Sequence, residues 1–123
     1  MADFQEEVIA SVRRVSGEAI DEKSILLAIK TTDGLLYKAA DTANMVVVGR
    51  NDEVVAISKG ITAIPGKFLV TNSTAYPVTY AHIGSVCYIE DETTVAASSD
   101  QSISAGTVID VVSEGVWVAV GTQ

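Results

Sequence analysis

A single cysteine, a single histidine and two prolines are all that this 123-residue chain carries of those types, and its 8 basic side chains face 16 acidic ones. A lone Cys87 excludes an internal disulfide framework and any cysteine-based zinc or iron–sulfur site. A lone His82 excludes paired-histidine metal motifs. The formal charge of −8 argues against nucleic acid as a partner, because phosphate binding is driven by Lys and Arg releasing counterions. No apolar run approaches the length of a membrane-spanning helix. Neither a Gly-x-Ser-x-Gly elbow nor a phosphate-cradling glycine motif occurs. The opening Met-Ala-Asp-Phe-Gln-Glu-Glu lacks the basic start and apolar stretch of a secretory signal, so the expectation is a protein made in a cytoplasm. No low-complexity linker and no repeat divides the chain, and at this length one domain can bury about two-thirds of its unfolded surface.

What is present falls into two parts. Residues 1–23 hold 9 of the 24 charged side chains, with Phe4, Val8, Ile9, Val12 and Val15 at roughly helical spacing. The spacing predicts an amphipathic helix over about residues 3–14, ended near Gly17, or else an extended arm. So short a helix is marginal alone and needs a surface to lean on. Phe4, Val8, Ile9 and Val12 are the candidate contact residues, toward the chain's own domain, a sister copy or another protein.

Residues 24–123 read as a β domain. Runs rich in β-branched residues recur at Ser24–Lys30, Leu35–Ala39, Met45–Gly49, Glu53–Ser58, Lys67–Thr71, Val86–Ile89, Thr94–Ala96, Gly106–Val112 and Val116–Val120. Turn chemistry separates them: Thr32-Asp33-Gly34, Pro65-Gly66, Glu90-Asp91-Glu92 and Ser113-Glu114-Gly115. This predicts an all-β fold, a compact β-sandwich or β-barrel of about nine short strands. Gly34, Gly84 and Gly115 are expected to hold turns. Phe68, Tyr88 and Trp117 are expected to anchor the core, since aromatics dominate small cores. Val116–Val120 shows little strict alternation and predicts a strand covered on both faces.

Chemistry-bearing residues are few and each has a structural reading. His82 is expected at a surface or turn, and Cys87, inside Val86-Cys87-Tyr88-Ile89, as a small buried hydrophobe. Glu90, Asp91 and Glu92 read as a solvated turn, because they lack the alternating spacing of a calcium loop. Residues 106–115 superficially suggest a carrier-domain hairpin but contain no lysine to modify. The expectation is therefore no catalytic residue, no cofactor and no metal.

The C-terminal half carries a resemblance. Residues 83–96, Ile83-Gly84-Ser85-Val86-Cys87-Tyr88 through Thr94-Val95-Ala96, resemble the "IG-x-x-CY-x-x-D-x-x-TVA" hairpin of tailed-bacteriophage capsid decoration (cement) proteins. Ala105-Gly106 through Val112 and Gly115-Val116-Trp117-Val118 are similar to that family's "AG-x-V-x-D-V-D-x-x-GVWV" ending. Lys67–Ser73, Pro77-Val78-Thr79 and Val46–Arg50 fit its upstream strands, while the N-terminal region matches little. The resemblance implies a structural protein on the outer surface of a phage head, made in the bacterial host cytoplasm. It implies the major capsid protein as partner, a homotrimer at capsomer junctions, and no nucleic acid, membrane or small-molecule substrate. A tail, baseplate or adhesin module binding a receptor or glycan is the alternative; a concave platform of Tyr76 and Tyr80 would favour it. A small hydrolase or other enzyme using His82 or the acidic turn Glu90-Asp91-Glu92 is the third reading.

Overall fold

A computed structural model describes residues 11–121. Among them the strands are β1 (Val12–Val15), β2 (Leu26–Lys30), β3 (Leu36–Lys38), β4 (Met45–Arg50) and β5 (Gly60–Ala63), then β6 (Gly66–Asn72), β7 (Val86–Asp91), β8 (Thr94–Ala96), β9 (Ser104–Val112) and β10 (Gly115–Val120). One short 3₁₀ turn, Tyr80–His82, sits before β7. The fold is all-β.

Five strands close a barrel in the order β9–β10–β6–β8–β7, with β7 returning to β9. Every pairing is antiparallel except β6 with β8. Closure leaves this sheet without an open edge. The remaining strands form a three-stranded sheet, β3–β2–β4, and a β1–β5 pair. Isolated bridges join these two at both ends, Arg50 with Ile64 and Ser16 with Leu36. Together they wrap a second, smaller core.

Two cores therefore share one wall. The barrel core holds Val70, Cys87, Ile89, Val95, Val108, Val116, Val118 and Val120, together with Leu26, Ala28 and Val47. The second holds Ile20, Ile25, Leu27, Leu36, Ile61 and Ala63, with Val48 and Val12 packed on it. Side chains alternate along a strand. On β2, Leu26 and Ala28 thus face the barrel while Leu27 faces the other core, and all three are buried. The unbroken apolar run Ile25–Ile29 has this cause.

A buried polar hub ties the edge of this wall. Asn51 donates from Nδ2 to the carbonyls of Glu22 (2.7 Å) and Glu53 (2.8 Å), and its Oδ1 accepts from the Ile25 N–H (2.9 Å). It is 2 % exposed, and this side-chain amide makes three hydrogen bonds.

Several expectations need correction. Val12–Val15 is a strand paired with Gly60–Ala63, so the helix predicted to run to residue 14 is absent over its described part. Phe4, Val8 and Ile9 lie outside the described residues. Val12 is half-buried against its own second core, and Ser16 and Ile20 are buried there too. Glu53–Ser58 is no strand; only Val55 pairs, with Ile20. The strand Gly60–Ala63 was not among the expected strands; it lies directly before the Pro65-Gly66 turn.

The turn glycines stand where expected, at φ +75 for Gly34 and +88 for Gly84. Gly115 has a different reason. A Cβ there would lie 2.2 Å from the Val70 carbonyl oxygen, so close approach of β6 demands glycine.

Leu27→Ala should destabilise the protein by about 2–5 kcal/mol, because it opens a cavity in the smaller core. Gly115→Ala should cost about 1–3 kcal/mol by forcing β6 and β10 apart. Urea unfolding followed by circular dichroism measures both.

Candidate functional site

Barrel strands are filled on the inside by valine. On β10, Val116, Val118 and Val120 point in, which turns Trp117 out, at 39 % exposure. Trp117 is thus no core anchor, and the alternation along Val116–Val120 is strict. Tyr88 alternates in the same way with buried Cys87 and Ile89 and is half-buried. Phe68, cross-strand from Val118, does pack on the barrel core, half-buried at its edge, with the Arg50 guanidinium 4.1 Å from its ring centre.

The outward side chains build a surface. Trp117 stands beside Leu69 on β6 and Asp110 on β9. A bulge between Val108 and Asp110 leaves Ile109 exposed along with Asp110. Thr107 links Ala119 to Val86 on β7. Ile83 joins from the turn whose Gly84 N–H donates to the Val108 carbonyl at 2.8 Å. Leu69, Trp117, Ile109, Val86 and Ile83 are all exposed and are carried by four neighbouring strands and the turn beside them. Lys67, Thr107 and Asp110 lie among them as polar neighbours. An apolar centre with a polar rim is the anatomy of a protein contact surface, and Trp is the residue type that most often dominates one.

The groups that chemistry would recruit are engaged within the fold. His82 Nδ1 accepts from the Thr79 N–H at 2.9 Å and lies 3.1 Å from Thr79 Oγ1, fastening its own turn. That bond leaves the proton of a neutral ring on Nε2. Glu90 accepts from Ser73 Oγ at 2.5 Å, while Asp91 accepts from the Thr93 N–H at 2.9 Å and from its hydroxyl at 3.1 Å. Among the described residues, no three His, Cys, Asp or Glu side chains come together as a metal site. A shallow depression is lined by Asp41, Tyr76, Glu90, Ser98, Ser99 and Asp100. Tyr80, although exposed, is not part of its lining.

Cys87 is wholly buried, and burial pushes its thiol up to about 12. No family model, no curated protein and no solved structure matches this chain.

The folded protein should therefore fail to react with a disulfide reagent at pH 8, where Cys87 stays a buried thiol. The same chain in guanidinium chloride should react fully within minutes, and absorbance of the released thiolate gives the rate.

Proposed function

We propose that this chain is a capsid decoration protein, binding the outside of a tailed-phage head and stabilising its lattice. The observation that carries the reading is the outward Trp117 in its apolar strip across the barrel. The longest motif fragments that resemble the family fall on β6, β7, β8, β9 and β10, the five strands of the barrel, four of which carry this strip. A ligand that binds an assembled shell better than free subunits stabilises the shell by mass action. A homotrimer would present three strips at once to the major capsid protein and gain avidity through effective concentration. The acidic body suits an outer face, away from packaged DNA. The N-terminal residues Phe4, Val8 and Ile9 would add a second contact to a capsid subunit or sister copy.

The glycan-binding alternative draws on Tyr76, an exposed ring beside three carboxylates in a shallow depression. Rings of this kind stack on sugars, and glycan-array binding by the isolated protein would move the assignment there.

In co-sedimentation with empty phage heads, the wild-type chain should pellet with the shells. Trp117→Asp should lose at least about tenfold in affinity, as expected for a buried aromatic anchor, while its urea midpoint stays near wild type. Wild-type protein left wholly in the supernatant, or equal binding by the variant, would overturn the reading.

A further inference from the structure

The connection from β6 to β7 ends in the 3₁₀ turn Tyr80–His82, and the residues after it are stitched to β9. The Ser85 N–H donates to the His82 carbonyl (2.9 Å), the Gly84 N–H to the Val108 carbonyl (2.8 Å), and the Val108 N–H to the Ser85 carbonyl (2.9 Å). These three bonds set where Ile83 stands, 44 % exposed at the margin of the Trp117 strip. One side chain closes the start of the turn. The Thr79 N–H donates to His82 Nδ1 at 2.9 Å, the part that a Glu or Gln at this position plays in a capping box.

That bond exists in only one charge state. A backbone N–H is always a donor, so Nδ1 must offer a lone pair. An imidazolium carries a proton on both ring nitrogens and has none to offer. The Thr79 hydroxyl, 3.1 Å from Nδ1, is then the group that can accept from the charged ring, and the Thr79 amide is left facing a second N–H. His82 is half-buried, so protons reach it. The turn packs on β9 and leads into β7, and the titratable side chains of these elements are Tyr80, Asp110, Cys87, Tyr88, Glu90 and Asp91. Glu90 and Asp91 are taken up by Ser73 and Thr93, and Cys87 is sealed in the barrel. Among the described residues no carboxylate pairs with the ring, so none compensates a charge on it; the ion pair present is Lys38 with Asp21.

We propose that His82 is a proton-sensitive latch: neutral, it closes the Thr79–His82 turn and fixes Ile83 beside β9; charged, it releases both. The latch is closed at neutral and alkaline pH and opens as pH falls through the range in which imidazoles titrate. As regulation of the apolar strip it rests on the role proposed above for Trp117. As a property of the turn it is measurable in the free chain.

Amide hydrogen exchange on the full chain, followed by NMR with each rate divided by the intrinsic rate at that pH, tests it. In wild type, protection of Gly84 and Val108 should fall about fivefold between about pH 7.5 and about pH 5.5, as for the loss of one hydrogen bond. His82→Gln keeps an acceptor on this side chain with no titratable group, and its protection should change by less than about twofold over that range. His82→Lys, a cation with no acceptor, should show the low value at both ends. The amides of β10, paired on both sides, should stay protected throughout, which separates the latch from a general loss of fold. Equal protection of Gly84 at both ends in wild type, or a fall in His82→Gln as large as in wild type, would sink the latch. Co-sedimentation with empty heads gives the second readout: wild-type affinity should drop about fivefold over the same range while His82→Gln holds. A drop shared equally by both proteins would cut the latch off from the strip. No binding at any pH would strike the capsid reading and leave the exchange result to decide the latch.

Discussion

Burial of β2 on both faces is the constraint on which the rest of this structure depends. Leu26 and Ala28 belong to the barrel core and Leu27 to the smaller one, and β4 repeats the arrangement with Val47 and Val48. Neither core is complete without these strands. The barrel would lose its packing against Leu26, Ala28 and Val47, and the second core would lose one of its walls. Cooperativity between the two halves follows, because a change at Leu27 is felt through the same backbone that carries Leu26 and Ala28. Asn51 and the Arg50–Ile64 bridge pin the edge of this wall at the point where the chain turns from one core to the other.

That arrangement governs what was legible in the sequence. β-branched runs and Gly- or Asp-rich turns marked eight strands near their observed positions, because period-2 patterning and turn chemistry are local signals. The hairpins at Asp33-Gly34 and Glu114-Gly115 were equally plain. The closing of five strands into a barrel, and the presence of a second core, were not readable, because the pairing of β6 with β8 or of Ser16 with Leu36 leaves no local mark. Val12–Val15 was misread because Phe4, Val8, Val12 and Val15 coincide with a helical period. Its partner strand, Gly60–Ala63, lies 45 or more residues downstream. Tertiary pairing overrode local period there.

Trp117 shows the same limit at the candidate site. Composition makes tryptophan a core residue by default, and Val116–Val120 looks apolar throughout. Parity decides otherwise: three valines fill a narrow barrel on one side, so the indole must stand on the other. The signal that could have found it was present in the strict valine spacing, once the strand was known to have only one buried face. The bulge that leaves Ile109 and Asp110 exposed together had no sequence signal at all.

The polar and reactive side chains are tied into the same framework. Its thiol is shut inside the barrel, its imidazole fastens the turn before β7, and Glu90 and Asp91 bind neighbouring hydroxyls and amides. Among the described residues the barrel also carries an exposed apolar strip, on a body of net negative charge. Charge of one sign keeps free copies apart at long range, by an effect that fades within about 10 Å at 0.1 M salt. Short-range apolar contacts act only once copies or partners are already held close. Small contacts gain strength where sites are repeated at fixed spacing, because each is then reinforced by its neighbours.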